Sequence, residues 1–187
     1  MNATLKHWLA VAPSFLAVAA IAVRAEWLAA RAVEVRLEVA PYDPMDPLAG
    51  RYIATPLAIS RLNVSELRNA SPQAVLGDEV WVELERATPF WRPIALHEAP
   101  PPNAVALRGV VRNQWENTWT VDYGLERFFI PASGADPSGL NNVSRPQLTA
   151  LVRVGSGGAA LLVDLLVDGE PYAQWNARQP RPGADAR

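Results

Sequence analysis

The 187-residue sequence has no cysteine, one lysine and two histidines, and these scarcities exclude several kinds of chemistry. Without cysteine, the chain forms no disulfide, no thiolate zinc site and no thiol nucleophile. The lysine, Lys6, lies beside the apolar N-terminus, so the rest of the chain has no lysine for a Schiff base or a serine–lysine dyad. His7 lies next to it. His97 is therefore the one histidine available for acid–base chemistry in a folded domain.

The sequence also lacks an excess of positive charge. Its formal net charge is −2 and its 17 basic residues form no cluster, whereas a nucleic-acid-binding surface is typically basic. We therefore expect no nucleic-acid partner, and no residue pattern predicts a metal site or a bound cofactor. Half of the residues are hydrophobic, which is enough for one domain with a substantial core.

The longest apolar segment lies at the N-terminus. The 16 residues from Trp8 to Val23 carry no charge and would extend about 24 Å as a helix, compared with a hydrocarbon core of about 30 Å. Trp8 and Trp27 are 19 residues apart, about 28 Å along a helix, so each indole can lie at one membrane interface. This spacing predicts an N-terminal membrane-anchor helix within residues 1–32, which contacts the lipid bilayer through residues 8–27.

A cleaved signal peptide is the alternative interpretation of this segment, with Lys6 as its basic region and the stretch from Val23 to Ala25 as its cleavage site. The side of the membrane is a separate question. The short N-terminal tail favours export of the domain, whereas Arg24, Arg31 and Arg36 follow the apolar segment and favour the opposite orientation. We expect a single-pass membrane protein with its β-domain outside the cytoplasm.

The remainder of the sequence alternates apolar and polar residues, as is typical of β-strands. In VEVRLEVA, residues 33–40, every second side chain is apolar, which indicates a strand with one buried face. Near the C-terminus, two apolar runs are separated by GSGG, which predicts a hairpin. Comparable strand patterns recur at residues 51–60, 78–87, 91–99, 103–113, 118–123 and 125–130. We predict an all-β fold, a single β-sandwich or partly open barrel over residues 33–175, followed by a disordered tail over residues 176–187.

A proline-rich segment, PYDPMDPLAGRY, occupies residues 41–52. A proline at every third position favours a polyproline II conformation, in which Asp43 and Asp46 are about 9 Å apart and cannot share one metal ion. One interpretation is structural, with each aspartate capping a turn at an Asp-Pro step. The other is a stiff binding surface for a partner, presented by Asp43, Asp46, Arg51 and Tyr52.

Three further residues are candidates for an interaction surface. The alternation in residues 78–87 places Trp81 on the same strand face as Glu83, so its indole either contacts a partner or is covered by a second layer of the protein. Glu126 and Arg127 are adjacent and of opposite charge, and they lie in the strand pattern of residues 125–130. A charge pair at a surface contributes little to stability, so we consider both residues as possible contacts for a partner.

Two of these segments together resemble a known family. PYDPMDPLAGRYIATPL, residues 41–57, is followed by YGLERFFIP, residues 123–131, and the pair is similar to motifs of the GDYXXLXY family of membrane-anchored bacterial proteins. The resemblance extends over most of the chain, although Arg51 stands where the family motif has aspartate. It implies a bacterial cell-envelope protein with a membrane anchor, and it bears on location and fold rather than on a chemical activity.

The sequence therefore favours a non-enzymatic accessory protein whose β-domain binds a membrane-protein or envelope partner. The alternative is an envelope hydrolase whose site uses His97 or carboxylates such as Asp43 and Asp46. The scarcity of lysine, cysteine and histidine leaves such a hydrolase few acid–base groups. We predict no catalytic residue, and the accessory role is the expected one.

Overall fold

The structure is a computed structural model that describes residues 32–40, 52–69, 74–129 and 147–178. The chain divides after Ala32, and the described strands lie in the unit that begins at Val33. The elements are β1 (Val33–Glu38), β2 (Tyr52–Ala54), β3 (Arg61–Asn63), β4 (Glu79–Glu85), β5 (Arg92–His97), β6 (Ala106–Trp115), β7 (Thr118–Asp122), β8 (Arg127–Phe129), β9 (Leu148–Val154), β10 (Ala160–Val167), β11 (Glu170–Pro171) and helix α1 (Tyr172–Ala177).

The first sheet has four strands in the order β1-β9-β10-β11, and its neighbouring strands are antiparallel. Val35 of β1 pairs with Val152 of β9, and Leu37 pairs with Ala150. All four side chains are fully buried. Residues 33–40 alternate between apolar and polar because a strand presents successive side chains to opposite faces of its sheet.

The second sheet has five antiparallel strands in the order β3-β7-β6-β4-β5. Strand β4 buries Val80, Val82 and Leu84, and it turns Trp81 and Glu83 to the other face, where both are half-buried. Strand β4 therefore shows the same period of two as β1. Register shifts interrupt the pairing of β4 with β5 and of β6 with β7, which marks irregularities in both strands.

One hydrophobic core joins the sheets, and the third sheet, β2-β8, has only two strands. Backbone hydrogen bonds also connect the sheets at their edges: Trp91 N–H donates to the Arg36 carbonyl over 2.9 Å, and Ala40 N–H donates to the Pro56 carbonyl over 2.7 Å. The largest fully buried side chains are Leu37, Leu57, Leu62, Leu96, Leu107, Leu165, Val35, Val80, Val82, Val111, Val121 and Val152.

The prediction of an all-β fold is confirmed. Helix α1 was not predicted, because six residues are too few to show a helical period; Tyr172 and Trp175, three positions apart, face the core from it. The predicted anchor helix and the proline-rich residues 41–51 lie outside the described residues. Among the helices of the described segments, none combines the length and the apolar character that a membrane crossing requires.

Candidate functional site

The two sequence motifs around residues 52 and 129 meet in the sheet β2-β8. Tyr52 pairs with Phe129, Ile53 with Phe128, and Ala54 with Arg127, in antiparallel register. Pairing strands so far apart in the sequence costs loop-closure entropy, which the contacts of the folded chain must offset. The fold therefore brings together two segments that the sequence alone presents as independent motifs.

Thr55 extends this pairing beyond β2. Its backbone N–H donates to the Glu126 carbonyl, and its hydroxyl Oγ1 donates to the Leu125 carbonyl, each over 2.9 Å. Thr55 is fully buried, so its hydroxyl has no competing water and the hydrogen bond is costly to remove. We call the assembly of β2, Thr55, residues 122–126 and β8 the motif junction.

Tyr123 fixes the junction to the core. Its hydroxyl donates to the Ile59 carbonyl over 3.0 Å and its backbone N–H donates to Glu126 Oε1 over 2.9 Å. Burial raises the pKa of the Tyr123 hydroxyl far above its ordinary value, and the nearby charge of Glu126 acts in the same direction. The phenol is therefore a neutral hydrogen-bond donor with a structural role.

A carboxyl pair, Asp122 and Glu126, lies at the same place. Burial raises the pKa of Glu126, and a hydrogen bond and charge repulsion from Asp122 raise it further. Hydrogen bonds from backbone N–H groups such as that of Tyr123 lower it, but by less. Burial also acts to raise the pKa of Asp122, but hydrogen bonds from Gly124 N–H and the Arg112 guanidinium outweigh it and lower the pKa. Arg112 contacts Asp122 Oδ2 through two nitrogens, at 2.8 and 3.0 Å. These opposite shifts favour protonation of Glu126 before Asp122 as the pH falls.

Of the predicted site residues, the junction contains Tyr52, Glu126 and Arg127. The backbone of Tyr52 pairs in β2, and Arg127 is exposed on β8. Glu126 is half-buried, and its carboxylate contacts Tyr123 N–H and Asp122 rather than forming a simple surface pair. Asp43, Asp46 and Arg51 fall outside the described residues.

Trp81 lies apart from the junction, on β4. Its indole Nε1–H donates to the Gly157 carbonyl over 2.8 Å, in the turn Ser156–Gly158 between β9 and β10. A side chain at Gly158 would lie 2.7 Å from Trp81 Cδ1, which shows how closely the turn packs against the ring. The turn thus covers part of the indole, and Trp81 is half-buried.

His97 forms part of a second polar cluster. Its Nε2 lies 2.7 Å from Glu83 Oε2, and Glu83 Oε1 lies 3.6 Å from Arg68 NH2. The cluster borders a groove of about 520 Å³ that is lined by Asn69 and residues 96–102, which we call the His97 groove. The sequence identified His97 but not its partner Glu83, because their approach depends on the register of β4 and β5.

The chemistry available to the two sites differs. None of the described residues that line the His97 groove carries a hydroxyl or thiol group. A hydrolase that used these residues would depend on water activated by His97 rather than on a covalent nucleophile. In the part of the chain that the structure describes, no group of three or more His, Asp or Glu residues is placed to hold a metal ion. The junction hydroxyls of Thr55 and Tyr123 are both used in internal hydrogen bonds.

Comparison with known proteins identifies one family. A family model described as GDYXXLXY protein matches residues 14–165, which is more than half of the chain and includes both strands of the motif junction. No curated protein and no solved structure matches the chain.

Proposed function

The chain belongs to the GDYXXLXY protein family, and on that premise we propose that it is an accessory protein of the bacterial cell envelope. In this proposal the N-terminal apolar segment anchors the chain in the membrane through residues 8–27. The β-domain lies outside the cytoplasm and binds a membrane-protein or envelope partner through the motif junction. The single observation that carries the proposal is the meeting of both motifs in β2-β8.

A binding role fits the chemistry of the junction better than a catalytic one. Thr55 and Tyr123 donate their hydroxyl protons to backbone carbonyls, and Glu126 accepts from a backbone N–H. These contacts hold β2 and β8 in one geometry, and a surface that is already ordered loses less conformational entropy when it binds a partner. The polar groups of the junction thus support a rigid surface.

Phe129 provides the contact at this surface. It is 71% exposed at the end of β8, next to the charged Arg127. Aromatic residues and arginine are enriched among the residues that contribute most binding energy to protein interfaces. Phe129 and Arg127 together therefore have the composition of a small interface centre. The buried hydrogen bonds of Thr55 hold the chain after β2 against residues 125 and 126, which directly precede β8.

The test is the substitution Phe129→Ala in the full-length chain, followed by affinity purification from detergent-solubilised membranes. Trp115→Ala is the matched control, because Trp115 is an aromatic residue of equal exposure, 72%, on the β6–β7 hairpin. We expect wild type and Trp115→Ala to retain one stoichiometric partner and Phe129→Ala to lose it, with all three proteins melting alike.

Recovery of the same partner with Phe129→Ala would refute the role of the junction. Loss of the partner from Trp115→Ala as well would show that binding does not depend on the position of the exposed aromatic residue. That result would also refute the proposal. If Phe129→Ala alone melts at a lower temperature, Phe129→Leu replaces it in the test, because leucine keeps an apolar side chain on β8. The partner should then be recovered only in part, because the aromatic ring is missing.

A further inference from the structure

We infer that one end of the five-stranded sheet docks on the lipid bilayer through two turns that carry exposed apolar side chains. The first turn, residues 75–78, precedes β4, and the second joins β6 to β7 directly after Trp115. We call the side chains of Val75, Leu76 and Trp115 the apolar turn patch. The inference rests on the membrane anchor of the proposed function, and it concerns a surface separate from the motif junction.

The apolar turn patch is strongly exposed. Val75 is 60% exposed, Leu76 65% and Trp115 72%. Tight turns usually carry glycine, proline or short polar residues. The first turn has Gly77 at a φ of 96°, but its first two residues are a valine and a leucine. Two neighbouring turns thus present large apolar groups to the surroundings of the domain, where water alone would not favour them.

Hydrogen bonds hold the two turns beside each other. Gly77 N–H donates to the Val111 carbonyl over 2.8 Å, and Gln114 Nε2 donates to the Ala74 carbonyl over 2.9 Å. Because Gln114 directly precedes Trp115, the first turn lies alongside the last residues of β6. The patch is therefore ordered before it meets a ligand, so that docking costs little conformational entropy.

The chain enters the β-domain at the same end of the sheet. Val33, the first residue of β1, pairs with Val154, the last residue of β9. The turn after β9 accepts a hydrogen bond from Trp81, which lies near the start of β4. Farther along β1, the Arg36 carbonyl accepts from Trp91 N–H, next to the start of β5 and thus beside the end of β4. Strand β1 therefore begins towards the patch and runs away from it.

The length of chain before β1 limits the distance between this end and the membrane. In the proposed function the anchor ends at Trp27, six positions before Val33. A fully extended chain of this length spans at most about 22 Å. The domain is thus held near the bilayer by the end that carries the patch. Tryptophan is enriched at membrane interfaces, where its ring meets the apolar region and its N–H stays hydrated.

The charges of the two turns indicate how the patch would dock. Asp78 lies in the first turn and Glu116 in the second, and both are acidic. Anionic headgroups attract basic residues, so they would not draw these turns to the membrane. Burial of the apolar side chains among neutral lipids is the favourable contribution. We therefore expect docking that needs no anionic lipid and is insensitive to salt.

The experiment uses the absence of cysteine from the sequence, which allows one introduced thiol to carry a fluorescent label. Leu76→Cys is labelled in the full-length protein and reconstituted into phosphatidylcholine vesicles. Arg86→Cys is the control, because Arg86 is exposed and directly follows β4, about 23 Å from the start of that strand. We expect a nitroxide on the lipid to quench the Leu76 label and iodide, present on both sides of the bilayer, to quench the Arg86 label.

Two substitutions of Trp115 in the labelled Leu76→Cys chain test the contribution of the second turn. Trp115→Ser should lower the ratio of docked to undocked domains by roughly 10-fold or more, the loss expected when one large apolar side chain is removed from an apolar environment. Trp115→Phe keeps an aromatic ring and should retain quenching by the lipid nitroxide. Both variants should melt like the parent protein, because Trp115 is exposed.

Three results would overturn the inference. Quenching of the Leu76 label by iodide, in a protein that floats with the vesicles, refutes docking and leaves the anchor in place. Protection of this label from both quenchers would mean that a second copy of the chain covers the patch. A protein that does not float refutes the anchor, and the inference with it. The partner that depends on Phe129 is tested separately, because these vesicles contain no other protein.

Discussion

The turn that covers Trp81 offers a stringent test of the structure, because it contains two adjacent glycines that differ in one respect. Gly157 and Gly158 have similar positive φ angles, 80° and 86°. A Cβ at Gly157 would meet no atom within 4 Å. A Cβ at Gly158 would lie 2.7 Å from Trp81 Cδ1 and 2.9 Å from the backbone nitrogen of Arg108. Alanine substitution therefore separates backbone strain from steric overlap.

The magnitudes follow from these distances. Both substitutions place alanine in the left-handed region, which costs about 1 to 2 kcal/mol. Gly158→Ala adds overpacking against an indole and a backbone atom, which costs about 1 to 3 kcal/mol more. We therefore expect the free energy of unfolding to fall by about 1 to 2 kcal/mol in Gly157→Ala and by about 2 to 5 kcal/mol in Gly158→Ala.

Equilibrium urea denaturation, followed by circular dichroism, measures both values. Equal losses in the two variants would refute the packing of this turn on Trp81. The same comparison in a Trp81→Ala background completes a double-mutant cycle. There the additional cost of Gly158→Ala should decrease but not vanish, because the contact with the Arg108 backbone remains.

Two further predictions concern the motif junction. Thr55→Val should lower the free energy of unfolding by about 1 to 3 kcal/mol, because it leaves a buried carbonyl without its donor. Thr149→Val should change it by less than about 1 kcal/mol, because the hydroxyl of this buried threonine forms no hydrogen bond within the described residues. Similar losses of the two variants in urea denaturation would contradict this. Below the ordinary pKa of glutamate, Glu126→Gln should leave the free energy of unfolding unchanged. As the pH rises through the raised pKa of Glu126, the wild type loses stability, whereas glutamine does not titrate. The variant should therefore be more stable than the wild type above that pH. Parallel unfolding profiles from about pH 4 to about pH 8 would exclude this linkage.

Much of the fold could be predicted from local pattern. The alternation in β1 and β4 and the glycine-rich turn before β10 depend only on neighbouring residues, and the structure has strands and a hairpin at these places. Helix α1 could not be predicted, because its stability comes from packing: Tyr172 stacks edge-on against Phe128 with ring centroids 5.8 Å apart. A six-residue segment has too few positions to display a helical face.

The candidate sites were less predictable because they depend on register. Glu126 and Arg127 were identified as an adjacent pair and Tyr52 as part of the proline-rich segment. That Tyr52 lies on the strand beside them follows from the pairing of β2 with β8, which no local pattern encodes. Thr55 was missed, since a threonine in a strand is ordinary until its partner is known. The contact between His97 and Glu83 could not be predicted either, because it depends on the register of β4 and β5, which contains a shift.

The pairing of β1 with β9 has a consequence for the order in which the chain becomes structured during synthesis. All strands of the five-stranded sheet lie between Arg61 and Asp122, so that sheet can form as soon as this stretch has emerged. Strand β1 must wait for residues 39–147 to be made before β9 appears, roughly 5 to 20 s at ordinary rates of translation. During that interval, the apolar side chains of Val35 and Leu37 have no partner strand, and a chain that stops before Leu148 never provides one. The five-stranded sheet can therefore form before β1 obtains its partner strand β9.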